Sequence, residues 1–307
     1  NTADLAGHGP WNLLVTGRVA AGQTPLTALT KGTAVQIFTG APVPDRANAV
    51  IMQEDVHRTK SGIEIHHRVT LQSNIRAVGE DMMHGKIVVP AGRCLTAGDI
   101  AACAAAGHAD VMVRRKLKVA LVVTGDEVCQ PGQLRGKAGI WDVNTPMLCA
   151  AMRTASVDLC EIQTAGDTRN SLKAQLAKLA DQVDLIVTTG GISVGEEDHV
   201  KPALEGLNAT ITFSGVAIKP GKPISGGQIG KAAWLGLPGN PLSAFVAWRL
   251  FGVTLCDALL GLVRVRSDRR LVVLSEPLCH KPGRSEVRLA RLQGFDHLGR
   301  EIAVAAE

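Results

Sequence analysis

Between Lys116 and about Leu262 short, densely apolar runs alternate with helical segments, and this alternation narrows the possible folds more than any other feature of the chain. "KVALVVTG", "VDLCEIQ" and "VDLIVTTGG" read as strands, while "NTPMLCAAMRTAS" and "TRNSLKAQLAKLADQ" between them read as helices. Strand and helix repeating in this way imply right-handed crossovers and a mainly parallel sheet covered on both faces, an α/β fold. A ligand site is then expected at the C-terminal ends of the strands. "TGDE", "TTGG" and "GLPGNP" all stand at such ends.

The flanks read differently. From Val15 to about Pro90 the runs "TAVQIFTGAPVP", "ANAVIMQEDV", "GIEIHHRVTL" and "GKIVVPAG" are β-like and punctuated by Gly and Pro, which predicts a small β-rich unit. An alanine-rich segment follows, with Thr96 as its N-cap and Gly107 as its stop, predicting one linking helix. After about Arg264, "RLVVLSEPL" and "RSEVRLARL" predict a second small β domain. The expected division is 1–90 β-rich, 91–115 linking helix, 116–262 α/β and 263–307 β. The chain starts at Asn1 without a methionine and stops in mid-strand, so it is read as a fragment, incomplete at both ends.

Composition sets limits. The 307 residues, 46% hydrophobic and 20% charged, suit a soluble globular protein, and a net charge of +5 gives no reason to expect nucleic acid. Seven scattered cysteines without a C-x-x-C pair point to reduced thiols in the cytoplasm. Pro241–Val263 is the most apolar stretch, but it carries Arg249 and Asp257 and reads as a buried helix and not as a membrane span. No signal peptide is evident.

In "LIVTTGGISVGEEDHVKPAL" a strand runs into Gly190 and Gly191, whose backbone N–H groups could hold an oxyanion, although a plain turn would look the same. Glu196, Glu197 and Asp198 follow. Carboxylates beside an anion loop would repel a phosphate unless Mg²⁺ lay between them, and Asp198 is the preferred metal ligand; a helix start that favours negative charge is the alternative. In "VVTGDEV" and "GIWDVNTPML", Glu127 stands past a strand end, while Asp142 and Asn144 look like helix caps. Lys219 and Lys222 flank a Pro-Gly turn that could receive a dianion, or are two surface lysines. Pro238, Gly239, Asn240 and Pro241 form a stiff loop opening a long helix with Ser243 in its first turn, which suits phosphate. Thr39 in "FTGAPVP" and Arg76, Glu80 and Asp81 in "IRAVGED" are turns when taken alone. The histidines have no metal spacing and no nucleophile–histidine signature stands out. The set suits a metal-assisted reaction at a phosphate or another oxyanion.

"TGAPVP", "GED", "TGDE", "SVGEED", "AIKPGKP", "GLPGNP" and "KPGRSE" occur in the order in which they occur in the MoeA family, the molybdopterin molybdenumtransferases, and the resemblance covers nearly the whole chain. It implies a central MogA-like three-layer α/β domain flanked by small β-rich domains. The reaction it implies is insertion of molybdenum from molybdate into adenylylated molybdopterin, with Mg²⁺-dependent release of AMP. Carried over by position, Asp81, Glu127, Asp167 and Asp198 are the functional carboxylates, with Glu127 and Asp198 at the metal. Thr39, Gly190, Gly191, Ser193, Lys219, Lys222, Pro238, Gly239, Asn240, Pro241 and Ser243 are the substrate or molybdate contacts. A cytoplasmic homodimer is implied, with a MogA-type adenylyltransferase as a partner and no nucleic acid or membrane. The chain departs from the family in lacking the "MDGYA" motif, and in carrying His199 where tyrosine is usual. The adenylyltransferase of the preceding step and a non-catalytic molybdopterin-binding scaffold are the competing readings.

Overall fold

The computed structural model describes residues 1–25, 28–165, 168–192, 198–263, 271–279 and 282–306. It divides into two compact units, Asn1–Val88 and Val89–Glu307.

The first unit is built on a sheet of β1 (Trp11–Val19), β2 (Thr33–Ile37), β3 (His57–Arg58) and β4 (Gly62–Ile65), in the order β2-β1-β4-β3. Its buried apolar residues are few: Leu13, Val19, Leu29 and Ile65. Two of the expected strands do not form. "ANAVIMQEDV" yields only a 3₁₀ turn at Gln53–Asp55, and "GKIVVPAG" lies outside any strand. β-branched residues fit a pleated surface but need a neighbour to pair with. Here the Val50 N–H goes to the Ser73 carbonyl and the Lys86 N–H to the Met83 carbonyl, both in loops. β1 also starts at Trp11, four residues before the expected run.

The second unit opens with α1 (Ala97–Ala105), capped as its sequence suggests: Thr96 and Asp99 form a reciprocal capping box, and Gly107 follows at φ +86°. The Thr96 hydroxyl and N–H hold the Asp99 carboxyl below its usual range. The chain continues through β5 (Leu117–Thr124), β6 (Val128–Cys129), β7 (Ile140–Trp141), α2 (Asn144–Met152), β8 (Val157–Ala165), α3 (Arg169–Ala180), β9 (Leu185–Thr189) and α4 (Val200–Glu205). β10 (Thr210–Ser214), β11 (Ile218–Lys219), β12 (Ser225–Ile229) and β13 (Ala232–Leu237) come next, followed by α5 (Pro241–Ala247) and, beyond a π turn at Trp248–Gly252, α6 (Val253–Leu259). Four short strands complete the described chain: β14 (Val273–Leu274), β15 (Ser285–Glu286), β16 (Ala290–Phe295) and β17 (Glu301–Ala305).

A six-stranded sheet of order β10-β12-β13-β9-β5-β8 forms the centre of this unit. β8, β5, β9 and β13 run parallel, and β12 is antiparallel to both of its neighbours. Alternate residues of the strands enter opposite cores. Val119, Leu121, Val123, Leu185, Val187, Leu235 and Leu237 meet α2, α5 and α6 through Leu148, Met152, Ala244, Ala247, Trp248 and Cys256. Ala120, Val122, Ile186 and Trp234 meet α3 and α4 through Leu172, Leu176, Leu179, Val200, Ala203 and Leu204. A strand buried on both faces must be apolar at nearly every position, which accounts for "KVALVV" and "DLIV".

Pro241–Leu259 is long and apolar enough to cross a membrane, but Ala244, Ala247, Trp248 and Cys256 place one side of it in the first core. Gly252 makes room for the Trp248 indole, since a Cβ there would overlap the ring. Burial pushes the Cys256 thiol up to about 12, leaving it protonated at neutral pH.

Arg115 and Asp184 close the end of the sheet where β5 and β9 begin. The guanidinium donates to both Asp184 oxygens at 2.6 and 2.7 Å, and the Lys118 N–H donates to the carboxylate at 2.9 Å. These partners hold the Asp184 carboxyl below its usual range, with Arg115 the largest cause. The stabilisation is therefore complete above the unfolded-state value of about 4 and is lost as pH falls through the lower folded-state value. With the Arg115 side chain 67% exposed, solvent screening limits the pair to about 1 kcal/mol. In urea unfolding, Asp184→Asn should cost about that much at pH 7, and the gap from the parent should close below about pH 4.

Candidate functional site

The site is built where three parallel strands end level. Val123 of β5 pairs with Thr189 of β9, and Thr189 pairs with Leu237 of β13. From β5 the chain moves outward to β8, then crosses back to β9 on the other side of β5. The β5/β9 boundary is thus a topological switch point, where diverging loops leave a crevice. Gly125–Glu127 leave β5, Gly190 and Gly191 leave β9, and Pro238–Pro241 leave β13.

Glycine is required where these loops cross. Gly190 has φ +89°, and a Cβ on it would stand 2.7 Å from the Thr124 carbonyl oxygen; one on Gly191, at φ +59°, would stand 2.9 Å from the Thr124 hydroxyl. Gly239 passes over Gly190 at ordinary contact distance, its would-be Cβ 3.7 Å from the Gly190 Cα. The Gly190 N–H donates to the Leu237 carbonyl at 3.2 Å, joining two of the loops.

The cationic side forms beside this crossing. Asn240 caps α5, its Oδ1 accepting from the Ser243 N–H at 3.2 Å and from the Ser243 hydroxyl at 3.4 Å, and Pro241 occupies the first helical position. The Lys219–Lys222 turn abuts the same helical turn: a Cβ on Gly221 would stand 3.7 Å from the Ser243 carbonyl oxygen. Lys219 and Lys222 are exposed, while Ser243 and Pro238 are buried. β11 pairs with β15, and Lys219 reaches Glu286 at 3.4 Å, with Arg288 on the same oxygen at 3.1 Å. Burial pushes the Glu286 carboxyl up, but Lys219 and Arg288 together outweigh it and hold the group low. Lys222 makes no ion pair among the described residues.

The carboxylates are distributed over the loops. Glu127 is exposed and curls back over its own turn, where a Cβ on Gly125 would stand 2.9 Å from each carboxylate oxygen. Asp198 is half-buried, two residues before Val200, whose N–H donates to the Gly191 carbonyl at 3.2 Å. Among the described residues no three His, Cys, Asp or Glu side chains stand close enough to hold an ion by themselves. Mg²⁺ typically takes only one or two protein carboxylates and completes its shell with phosphate and water. Glu127 and Asp198, on the two loops of the switch point, are of the donor type that so sparse a set needs.

Eleven of the expected site residues belong to this unit, on these loops, in β11 or in the first turn of α5: Glu127, Gly190, Gly191, Asp198, Lys219, Lys222, Pro238, Gly239, Asn240, Pro241 and Ser243. Asp167 and Ser193, with Glu196 and Glu197, lie outside the described residues. Thr39 and Asp81 belong to the first unit. Thr39 is exposed in a turn closed by the Ala41 N–H on the Phe38 carbonyl at 2.8 Å. Asp81 pairs with Arg76 at 2.9 Å, with both side chains largely exposed.

Asp142 and Asn144 both look like helix caps in the sequence, and they differ. Asp142 Oδ1 accepts from the Thr145 N–H at 2.9 Å and does cap α2. Asn144 is buried and reaches instead to Thr189 and Gly239. Glu286 was quoted within "KPGRSE" but not singled out. Its pairing with Lys219 depends on the β11–β15 register, which local sequence does not carry.

These contacts predict opposite outcomes for two neighbouring glycines. Gly190→Ala should cost more than the ~1–2 kcal/mol of a left-handed backbone, because the Thr124 carbonyl also blocks its Cβ. Gly239→Ala, with only an ordinary contact, should stay within about 0.5 kcal/mol of the parent. Thermal melting of both variants checks the pair.

Comparison with known proteins accords with this architecture. Residues 3–107 match the family model described as MoeA N-terminal region (domain I and II), and residues 120–257 match that of a probable molybdopterin binding domain. Molybdopterin molybdenumtransferase 2 of Mycobacterium tuberculosis is 32% identical over 297 residues, covering 94% of this chain and 73% of that protein. Molybdopterin molybdenumtransferase of Haemophilus influenzae is 35% identical over 237 residues, covering 77% of this chain and 58% of that protein. A crystal structure of the molybdopterin biosynthesis MoeA protein from Pyrococcus horikoshii, 30% identical, superposes on the whole chain with a TM-score of 0.77, using 75% of its own length. The chain thus spans between about three-fifths and three-quarters of these relatives, and over that span it belongs to the MoeA family of molybdopterin molybdenumtransferases.

Proposed function

We propose that the chain inserts molybdenum from molybdate into adenylylated molybdopterin: water opens the phosphoanhydride bond, one phosphate stays on molybdopterin and the other leaves in AMP, and the two dithiolene thiols replace one molybdate oxygen, which leaves as water with their protons. The observation that carries this reading is the meeting of the Lys219–Lys222 turn, the Ser243 end of α5 and the Gly190–Gly191 loop at the C-terminal edge of one parallel sheet. Lysine ammonium groups and a helix N-terminus attract tetrahedral dianions. Molybdate is such a dianion, and the pyrophosphate of the second substrate can use the glycine loop beside it.

Two anions in one crevice repel each other. Glu127 and Asp198 are the residues that would hold Mg²⁺, which when bound would neutralise phosphate charge and polarise the reacting oxygen. Lys222, without an ion pair among the described residues, has its full charge available to molybdate. Lys219 is held by Glu286 and keeps a fixed direction while sharing its charge. The Ser243 hydroxyl donates to Asn240 at 3.4 Å and would turn from it to donate to the dianion.

The match of the N-terminal region over residues 3–107 supports insertion over the preceding adenylylation, which by resemblance needs only the central fold. The resemblance further implies a cytoplasmic homodimer in which Thr39 and Asp81 serve the pocket of the partner chain, with a MogA-type enzyme supplying the adenylylated substrate. Sedimentation separates dimer from monomer; activity confined to the dimer supports this arrangement, and an equally active monomer refutes it.

The direct test is AMP release from adenylylated molybdopterin, with Mg²⁺ and molybdate each present or omitted. Release should need both ions, fall at least about a hundredfold in Asp198→Asn, and require roughly tenfold more molybdate in Lys222→Ala, as loss of one charge contact at ~1.4 kcal/mol would give. Release that ignores molybdate would point to simple hydrolysis. Tight substrate binding without release would make the chain a scaffold.

A further inference from the structure

Asn144 opens α2 but caps nothing, because Asp142 already serves that helix end. Its amide bridges two strand-end loops. Nδ2 donates to the Thr189 hydroxyl oxygen at 2.9 Å and to the Gly239 carbonyl at 2.8 Å. The partners dictate which way the amide faces. A carbonyl can only accept, and the Thr189 hydroxyl donates its own hydrogen to the Pro238 carbonyl at 3.2 Å, so it too must accept from Asn144. Both amide hydrogens are thereby used, and Oδ1 is buried with no hydrogen-bond partner among the described residues.

A buried unpaired carbonyl lowers stability and offsets part of what the two donated bonds contribute to the fold. What only an amide supplies here is two N–H donors aimed at two acceptors on different loops. We propose that Asn144 is a positioning residue for the anion site, fixing the Pro238–Pro241 loop against the end of β9. The connections run onward from its partners. Gly239 lies over Gly190, Asn240 next to it holds Ser243, and the Ser243 carbonyl lies against Gly221 of the lysine turn. A shift of Gly239 therefore moves the groups that would receive the dianion. The identity of that dianion as molybdate rests on the function proposed above; the clamp itself does not.

The test pairs amide hydrogen exchange with calorimetric titration of sodium molybdate, on the full chain with Mg²⁺ present. In Asn144→Ala, exchange at the Gly190 and Ser243 amides should quicken at least about tenfold, while Val119–Val123 of β5 keep their protection. The molybdate Kd should weaken about tenfold or more, with the melting temperature within about 4 °C of the parent. Asn144→Asp, the same size but facing two acceptors with a carboxylate, should weaken binding further than Asn144→Ala. A role in filling space predicts the reverse order. Thr189→Val keeps the side-chain shape and removes the relay, and should quicken exchange at the same two amides. Unchanged exchange there in both Asn144→Ala and Thr189→Val overturns the clamp. A parent that does not bind molybdate overturns the anion assignment, while the exchange data still judge the clamp.

Discussion

The in-register pairing of β5, β9 and β13 is the constraint on which the site depends. Because Val123, Thr189 and Leu237 stand side by side, three loops leave the sheet at one level and must cross one another. The crossing is close enough to require glycine at Gly190 and Gly191, and it stands at the point where chain order reverses across the sheet, with the Gly190 N–H taken up by the Leu237 carbonyl. The two cores hold that register from either side. A one-residue slip would turn every odd-numbered side chain of β5 from the α2/α5 face to the α3/α4 face.

Charge is arranged around this framework with little burial. Lys219, Lys222 and Glu127 are all exposed, as suits groups that must exchange small ions with water. Direction comes from neighbours. Glu286, itself held by Arg288, orients Lys219, Asn240 orients Ser243, and the Gly125 turn cradles Glu127. Precise placement of exposed charges by fixed backbone limits the ordering cost of binding.

Much of this was legible in the sequence. The apolar density of "KVALVV" and "DLIV" gave away strands buried on both faces, and the Thr96 cap, Gly107 stop and Pro241 helix start lie where their local chemistry puts them. The glycine loop and the helix start could be placed together from their common position at strand ends, whereas the lysine turn joined them only through the family resemblance. Long-range partners were less accessible. Asn144 looks like a cap in the sequence because asparagine is a preferred residue at a helix start, whereas its actual partners lie 45 and 95 residues away. Glu286 reaches Lys219 through a strand pair across 67 residues. The apolar runs at Val50 and Val88 had strand composition without a strand to pair with, and composition alone does not reveal a missing neighbour.

The most direct measurement is the location of molybdate in a crystal of this chain, by the anomalous scattering of the metal. The account predicts one ordered site between the Lys219–Lys222 turn and Ser243, within hydrogen-bonding reach of both. Molybdate ordered instead at the opposite end of the sheet, beside Arg114 and Lys231, would contradict it.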